Sequence, residues 1–270
     1  MTSNDIHRYY NQGKEQGRLL AGSGQLEEAR TREIVLRYLP AAPATVLDIG
    51  GGAGVYALWL ARQGYEVHLV DLVPLHVEQA LAASAQQPEH PIASARVGDA
   101  REVEFPDASA DVVLLLGPLY HLHERDERLR VLREAYRLLK PSGTLIAAGI
   151  SRFASLLDGL GQGFLADDKF ATLVERDLHD GRHENPTSEP GYFTTAYFHY
   201  PTDLASELTE AGFQHETTLP VEGPMAFMPD FERFWNDAKL RERLLHMMRL
   251  IEHEPAMLAT TGHLIAVGRK

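Results

Sequence analysis

Short apolar runs alternate with longer amphipathic stretches between residues 45 and 149. The short runs have the length of buried strands, and the longer stretches repeat their apolar positions at helical spacing. This alternation is typical of parallel βαβ units. The most apolar run, DVVLLL, predicts a strand in the middle of the sheet that is buried on both faces. The predicted strands are residues 45–49, 65–70, 92–97, 111–116 and 144–148.

Helices are predicted between these strands from their apolar periodicity and from residues that start or stop a helix. Gly64 closes the first helix, Pro74 opens the second, and the motif PSG at 141–143 stops the third. In the third helix, arginines lie opposite an apolar stripe, which predicts one buried and one exposed face. The predicted helices are residues 55–63, 74–87 and 124–139.

The regular alternation of predicted strands and helices ends outside residues 45–150. We expect residues 45–150 to form the core of a single domain that spans residues 1–270. Residues 1–40 begin with a polar, tyrosine-bearing segment and predict an N-terminal lid. Two further stretches predict insertions that cover the sheet, at residues 151–200 and 224–261. The remaining predicted elements are helices at 25–38, 202–211 and 230–253, and strands at 213–219 and 263–268.

Composition restricts the partners of this chain. Its 270 residues, 44% of them hydrophobic, are enough to bury a full core. The formal net charge of -12 is spread along the chain and would repel a phosphate backbone, so no nucleic-acid partner is expected. The sequence has no cysteine, no leader-like start and no apolar run near the ~20 residues that span a bilayer. We therefore expect a cytoplasmic protein without a membrane partner, and the oligomeric state stays unknown.

A glycine-rich turn follows the first predicted strand. In the stretch VLDIGGGAG, Asp48 is followed by glycine at every second position, at Gly50, Gly52 and Gly54. Such a turn lets the backbone approach a ligand, and the next helix offers unpaired amides at its N-terminus. The dinucleotide fingerprint requires glycine at its first, third and sixth positions, and the sixth position here is Val55. The turn therefore departs from the nicotinamide-dinucleotide pattern.

Three later motifs lie where the next predicted strands end. Asp71 ends the second strand, Asp99 follows the third in VGDA, and LGPLYH at 116–121 follows the fourth. Together with the glycine turn, these motifs resemble those of the class I S-adenosylmethionine-dependent methyltransferases. The phrase LREAYRLLKPSGTL before the fifth strand is also typical of that family. The resemblance covers residues 45–150 well and the flanks only loosely.

The resemblance implies both a fold and a cofactor. The fold is an α/β, Rossmann-like sheet of seven mostly parallel strands with helices on both faces. It carries an N-terminal helical lid and insertions after the fifth strand and before the last. The implied cofactor is S-adenosyl-L-methionine. The implied cofactor-binding residues in the core are Asp48, Gly50, Gly51, Gly52, Gly54, Asp71, Leu72, Asp99, Ala100, Leu116 and Gly117.

The family resemblance also implies roles for the three acids. Asp71 would accept both ribose hydroxyls, and Asp99 would bind the adenine amino group, which a dinucleotide site would not require. Asp48 would bind amides of its own loop or contact the cofactor through a water molecule. Two alternatives stay open: Asp71 could cap the helix that Pro74 opens, and Asp99 could be a simple turn residue.

Methyl transfer from a sulfonium is an in-line displacement, which needs a well-placed nucleophile in a dry pocket more than it needs a base. If the acceptor is a hydroxyl or a protonated amine, His121 is the predicted general base, with a pKa near neutrality. Tyr120 precedes it in the same loop, and His123 is predicted to contact the acceptor. The alternative is that these histidines cap or solvate the next helix. Together with Glu124 they also suggest a metal site, but no fourth ligand is suitably spaced, so no metal is expected.

Candidate contacts also lie outside the core. Arg30 is predicted to pair with the cofactor carboxylate, and Tyr9 and Tyr10 to cover the sulfonium by contacts between a cation and a ring. Arg152 and Tyr197 are predicted to line the acceptor pocket. The alternative for each is an ordinary surface or core residue.

The loop after the fourth strand narrows the reaction class. Family members that methylate nitrogen in DNA or protein often begin this loop with Asn or Asp, whereas here it begins with Gly117. The sequence therefore predicts an S-adenosylmethionine-dependent methyltransferase acting on an oxygen or nitrogen of a small-molecule acceptor. The alternatives are an NAD(P)-dependent oxidoreductase and a non-catalytic S-adenosylmethionine-binding protein.

Overall fold

A computed structural model describes residues 19, 21–187 and 189–270. Nine strands in this part of the chain form one sheet, with helices on both faces. The predicted Tyr9 and Tyr10 contacts lie outside the described residues. The strands are β1 Thr45–Ile49, β2 Glu66–Asp71, β3 Ser94–Val97, β4 Ala110–Leu115, β5 Leu139–Ser151, β6 Arg182–His183, β7 Ala196–His199, β8 Gln214–Pro220 and β9 His263–Arg269.

Most of the sheet is parallel, as the sequence predicts. Strands β3, β2, β1, β4 and β5 pair side by side in that order, all in parallel. Strand β9 runs antiparallel between β5 and β8. The predicted α/β class is thus confirmed. The sequence did not predict the short hairpin of β6 and β7, which joins the end of β5 through Ile150 and Ser151.

Nine α-helices lie among the described residues, and several pack against the sheet. Helices α1, α2 and α3 pack on one face, and α4 and α7 pack on the other. Within β4, Val112 and Leu114 pack on the face covered by α1, α2 and α3, whereas Val113 and Leu115 pack on the face covered by α4 and α7. This alternation is expected of a strand buried on both faces. The helices are α1 Gly24–Tyr38, α2 Val55–Arg62, α3 Pro74–Ala85, α4 Arg125–Leu138, α5 Ala154–Gln162, α6 Asp168–Asp180, α7 Pro201–Glu210, α8 Phe231–Asn236 and α9 Ala238–Ile251.

The single long helix predicted at 230–253 is wrong, because the chain breaks there into α8 and α9. Asp237 lies between them in an extended conformation. Its side chain accepts hydrogen bonds from the amides of Lys239 and Leu240, which satisfies the first turn of α9. The periodicity continues through the break, so apolar spacing alone could not reveal it.

A buried ion pair joins α4 to α7, and its arginine also binds the loop after β4. Arg128 on α4 donates from Nη2 to Glu207 Oε1 on α7 at 2.7 Å, and both side chains are at most 2% exposed. Arg128 Nη1 also donates to the carbonyl groups of Leu122 and His123. The ring of Tyr197 on β7 covers the guanidinium, 3.6 Å from its central carbon to the ring centroid. One side chain thus joins two helices, the hairpin and the loop.

None of the helices in the described part of the chain combines the length and the apolar character needed to cross a bilayer.

We expect Arg128→Met to lower the free energy of unfolding by about 3 kcal/mol, because it leaves the Glu207 carboxylate buried without its main partner. The matched control is Arg130→Met, which removes an exposed pair with Glu102 and should cost less than about 1 kcal/mol. Adding Glu207→Leu to the first variant should restore much of the loss. Urea unfolding measures all three, and equal midpoints for Arg128→Met and Arg130→Met would contradict this account.

Candidate functional site

The glycine turn between β1 and α2 is crowded by the protein itself at two positions. A Cβ on Gly50 would lie 2.5 Å from Cγ of Pro118 in the loop after β4. A Cβ on Gly51 would lie 2.6 Å from Oδ2 of Asp48. These two glycines are therefore required by contacts within the chain, whatever ligand the turn binds.

Gly52 is different, because open space lies above it. Its φ of +56° places the backbone in the left-handed region, and a Cβ there would meet no described atom within 4 Å. Its amide donates to Oδ2 of Asp71 at 2.8 Å. Gly54, the N-cap residue that precedes α2, has a φ of +87°. The turn thus presents bare backbone toward the carboxyl edge of the sheet, where ligands of open α/β sheets bind.

Asp71 stands where both of its predicted roles are geometrically possible. Its Oδ1 accepts from the amide of Val73 at 2.9 Å and faces Nδ1 of His76 at 3.0 Å. The side chain therefore does support the entry to α3, as the capping alternative requires. Its bond to Gly52 also places it beside the open space, with Leu72 next to it in the chain. Contact with a ribose stays a prediction.

Asp99 shows the geometry of the turn alternative. Its Oδ1 accepts from the amide of Arg101 at 2.9 Å, and both carboxylate oxygens accept from the Arg101 guanidinium. These hydrogen bonds hold the pKa of Asp99 below its usual value, against the opposing effect of burial. Ala100 packs against the core beside it. The carboxylate is one-third exposed, and its contact with adenine stays a prediction.

Asp48 is the most perturbed acid in this part of the site. It is 1% exposed beneath the turn, and neither carboxylate oxygen has a hydrogen-bond partner within the usual geometric limits. Burial raises the pKa of Asp48 to about 7, and the nearby charge of Asp71 adds to this rise. The carboxyl group consequently holds its proton more tightly than an exposed aspartate does.

The loop after β4 reaches the glycine turn and forms a short 3₁₀ helix, Pro118–His121. A Cβ on Gly117 would lie 3.2 Å from the carbonyl oxygen of Gly50. The hydroxyl of Tyr120 donates to the carbonyl of Leu116 at 3.1 Å, which holds the loop closed.

Burial lowers the pKa of both predicted loop histidines. Burial lowers the pKa of His121 to about 4, so its ring is neutral at pH 7 and a weak base. The predicted near-neutral pKa is therefore wrong, because the sequence does not show how closely the ring is packed. Burial also lowers the pKa of His123, whose Nδ1 lies 3.9 Å from Glu184.

Arg30 is not available to bind a cofactor carboxylate, so that prediction is wrong. It is fully buried, and its guanidinium donates to the Val221 carbonyl, to Glu33 and to Glu252. Arg37 donates to the same Glu252 carboxylate. These bonds fasten α1 to the end of α9. The partner acid lies 222 positions away in sequence.

Arg152 and Tyr197 also serve the fold, which corrects their assignment to an acceptor pocket. Arg152 is 3% exposed and donates from Nε to the carbonyl of Phe198 at 2.8 Å. Its guanidinium also lies over the ring of Tyr200. The ring of Tyr197 is occupied by Arg128. Arg152 thus joins the end of β5 to β7, and Tyr197 packs β7 against α4.

A depression of about 380 Å³, including space open to solvent, lies at the carboxyl edge beyond Leu116. We call it the central depression. It lies where α1 and the start of α2 meet the loop after β4 and the first residues of β9. Its lining includes Glu27, Thr31, Tyr56, Leu116, Tyr120 and His263.

Sequence reasoning missed one cluster at this depression. Glu27, Glu222 and His263 place one carboxylate or imidazole atom each within 4.8 Å of one another. Glu222 follows β8 and His263 begins β9, so the pairing of two antiparallel strands brings them together. The only sequence signal was that both residues flank predicted terminal strands, and this becomes informative only once the register is known.

We expect Asp48→Asn to stabilise the ligand-free protein at pH 8. The raised pKa means that the unfolded chain loses this proton first, so the stability of the wild type falls as the pH rises from about 4 to about 7. The amide cannot ionise, and the advantage of the variant should therefore vanish toward pH 4. Thermal unfolding across pH measures this, with the exposed Asp126→Asn as control. A pH-independent difference for Asp48→Asn would contradict the assigned pKa.

Comparison with known proteins finds a matching family model and individual enzymes that are similar to this chain. A family model described as "Methyltransferase domain" matches residues 47–147, from β1 to β5. The S-adenosyl-L-methionine-dependent Diels-Alderase iccD of Talaromyces variabilis is 33% identical over 237 residues, which cover 86% of this chain and 73% of that protein. The 27-O-demethylrifamycin SV methyltransferase of Amycolatopsis mediterranei is 32% identical over 157 residues, 53% of this chain and 57% of that protein.

Solved structures agree on the fold. The [4+2]-cyclase SpnF matches with a TM-score of 0.65 at 18% identity, covering 100% of this chain and 97% of that one. The relative that covers 86% of this chain and 73% of its own length is named as dependent on S-adenosyl-L-methionine. The chain belongs to the class I S-adenosylmethionine-dependent methyltransferases, and its cofactor is S-adenosylmethionine.

Proposed function

We propose that the protein transfers a methyl group from S-adenosylmethionine to an oxygen or nitrogen atom of a small molecule bound in the central depression. One observation carries the proposal. The loop after β4 touches the glycine turn through Gly117 and Pro118 and lines the central depression through Leu116 and Tyr120. A donor bound at the turn and an acceptor bound in the depression would both lie beside that loop.

The residues around the glycine turn fit the cofactor. Gly52 offers bare backbone, Asp71 offers carboxylate oxygens beside it, and Asp99 lies at the end of the next strand. The bound cofactor supplies a methyl group on a positively charged sulfur, which keeps the electron pair of the broken bond. The chain's part is to orient the acceptor and to exclude water. We propose that Leu72, Ala100 and Gly117 also contact the cofactor, as the family resemblance implies.

The acceptor side is shaped for a small molecule with polar groups. Aliphatic surface from Leu116, Ala148 and Ile265 is combined with the polar ends of Tyr56 and His263. Such a mixture of apolar walls and a few polar groups is typical of small-molecule sites. The rifamycin relative, whose name gives an O-demethyl compound as its substrate, supports an oxygen acceptor.

A second function is favoured by a specific observation. The relative that covers 86% of this chain is named a Diels-Alderase, so a cycloaddition held by the same depression is the competing reaction. The cofactor would then be bound but not consumed. Methyl transfer would release S-adenosylhomocysteine, whereas cycloaddition would not.

The deciding experiment incubates the protein with S-adenosylmethionine carrying a labelled methyl group. The acceptors are a library of phenols, alcohols, amines and linear polyenes. We expect equal amounts of S-adenosylhomocysteine and of a product carrying the label on oxygen or nitrogen. Product without S-adenosylhomocysteine would favour cycloaddition, and label on carbon would overturn the proposed acceptor atom. Tight binding of the cofactor without any product would favour the non-catalytic alternative.

We expect Gly52→Ala to weaken S-adenosylmethionine binding at least tenfold, because its methyl group would enter the space proposed for the cofactor. Gly163→Ala is the matched control, since Gly163 also has a positive φ, +77°, and a Cβ there would likewise meet no described atom within 4 Å. Both variants should lose about 1 kcal/mol of stability from backbone strain. Calorimetric titration measures the affinities, and normal binding by Gly52→Ala would move the cofactor away from this turn.

A further inference from the structure

Glu222 and His263 form a close, oriented pair at the central depression. Oε1 of Glu222 lies 2.5 Å from Nδ1 of His263. Oε2 of the same carboxylate accepts from the hydroxyl of Thr261 at 2.9 Å and from the amide of His263 at 3.0 Å. Glu222 is 4% exposed, whereas the His263 side chain is one-quarter exposed and borders the depression. The buried Glu222 carboxylate therefore orients the His263 imidazole, which is partly exposed at the depression.

The hydrogen bonds decide which nitrogen carries the proton. Burial alone would raise the pKa of Glu222, but His263 and these hydrogen bonds outweigh burial and hold that pKa below its usual value. An ionised carboxylate can only accept, so Nδ1 of His263 must donate to it. In the neutral ring, the basic lone pair is then on Nε2.

A second carboxylate supports the charged form of this imidazole. Oε2 of Glu27 on α1 lies 3.7 Å from Nδ1 of His263. The other ionisable side chains that line the depression, among the described residues, are Tyr56 and Tyr120. Two negative groups therefore face the ring, and they would stabilise the imidazolium that forms when Nε2 accepts a proton.

We propose that His263, oriented by Glu222, is the general base that deprotonates the acceptor. This role rests on the proposed methyl transfer. Nε2 takes the proton of the acceptor O–H or N–H while the acceptor atom forms its bond to the methyl carbon. The bond between that carbon and sulfur breaks, and its electron pair stays on sulfur. The proton remains on the imidazole, where the charge of Glu222 balances it, until solvent removes it.

His263 fits this task better than His121. The low pKa of His121 makes it a weak proton acceptor at pH 7. The His263 ring, in contrast, is held by the Glu222 carboxylate at its Nδ1. The arrangement follows the general pattern in which an acid fixes the tautomer of a histidine base and stabilises its charged form.

The first test needs no acceptor. Nitrogen-15 NMR of histidine-labelled protein, with the His263 signal assigned by its loss in His263→Asn, reports which nitrogen is protonated. We expect a proton on Nδ1 at pH 8 and an unprotonated Nε2, with the preference reduced in Glu222→Gln. A proton on Nε2 at pH 8 would overturn the proposed base.

The second test uses an acceptor found in the labelled-methyl screen. His263→Asn should lower kcat at least hundredfold and remove the acidic limb of the pH profile, while S-adenosylmethionine affinity measured by calorimetry stays within twofold. Glu222→Gln should lower kcat less. The control is His246→Asn, which changes an exposed residue on α9 and should leave kcat unchanged.

The outcomes separate this role from the proposed function. An active wild type with an equally active His263→Asn overturns the base and leaves methyl transfer standing. A wild type that produces no S-adenosylhomocysteine with any acceptor overturns both. Loss of activity on adding EDTA, restored by Zn²⁺ or Mn²⁺, would assign Glu27, Glu222 and His263 to a metal ion and overturn the base as well.

Discussion

The close approach of the glycine turn to the loop after β4 is the constraint on which the site depends. Gly50 must lack a side chain because the Pro118 ring occupies that space, and a Cβ on Gly117 would lie only 3.2 Å from the Gly50 carbonyl oxygen. The two loops therefore fix each other's positions. The loop after β4 therefore links the glycine turn to the central depression, which it lines through Leu116 and Tyr120.

This edge of the sheet is rich in carboxylates held away from water. Asp48 and Asp71 lie below and beside the glycine turn, and Glu27 and Glu222 lie at the central depression. Carboxylates in a medium of low dielectric attract cations strongly, and S-adenosylmethionine carries a positive sulfur and an ammonium group. Burial of Asp48 raises its pKa to about 7, so this carboxyl group holds its proton more tightly than an exposed aspartate does.

The sequence predicted the central elements because their signals are local. The buried run DVVLLL and the helix-opening Pro74 depend on neighbouring residues, and the observed β4 and α3 begin within one residue of their predicted positions. Arg30 was misassigned because its partner Glu252 is distant in the chain. The Glu222–His263 pair was missed for the same reason, since its members are 41 positions apart and meet only through strand pairing.

The buried arginines change where acceptor recognition should be sought. Residues 151–200 were expected to build the pocket, but Arg152 and Tyr197 are used to hold the β6–β7 hairpin and the loop after β4. The depression is lined instead by α1, the start of α2 and the first residues of β9. Of these, β9 belongs to the sheet itself, and α1 is fastened to α9 by Arg30 and Glu252. A base on β9 is therefore carried by a strand that is paired on both sides within the sheet. That placement suits general-base catalysis, since proton transfer requires donor and acceptor atoms within hydrogen-bonding distance.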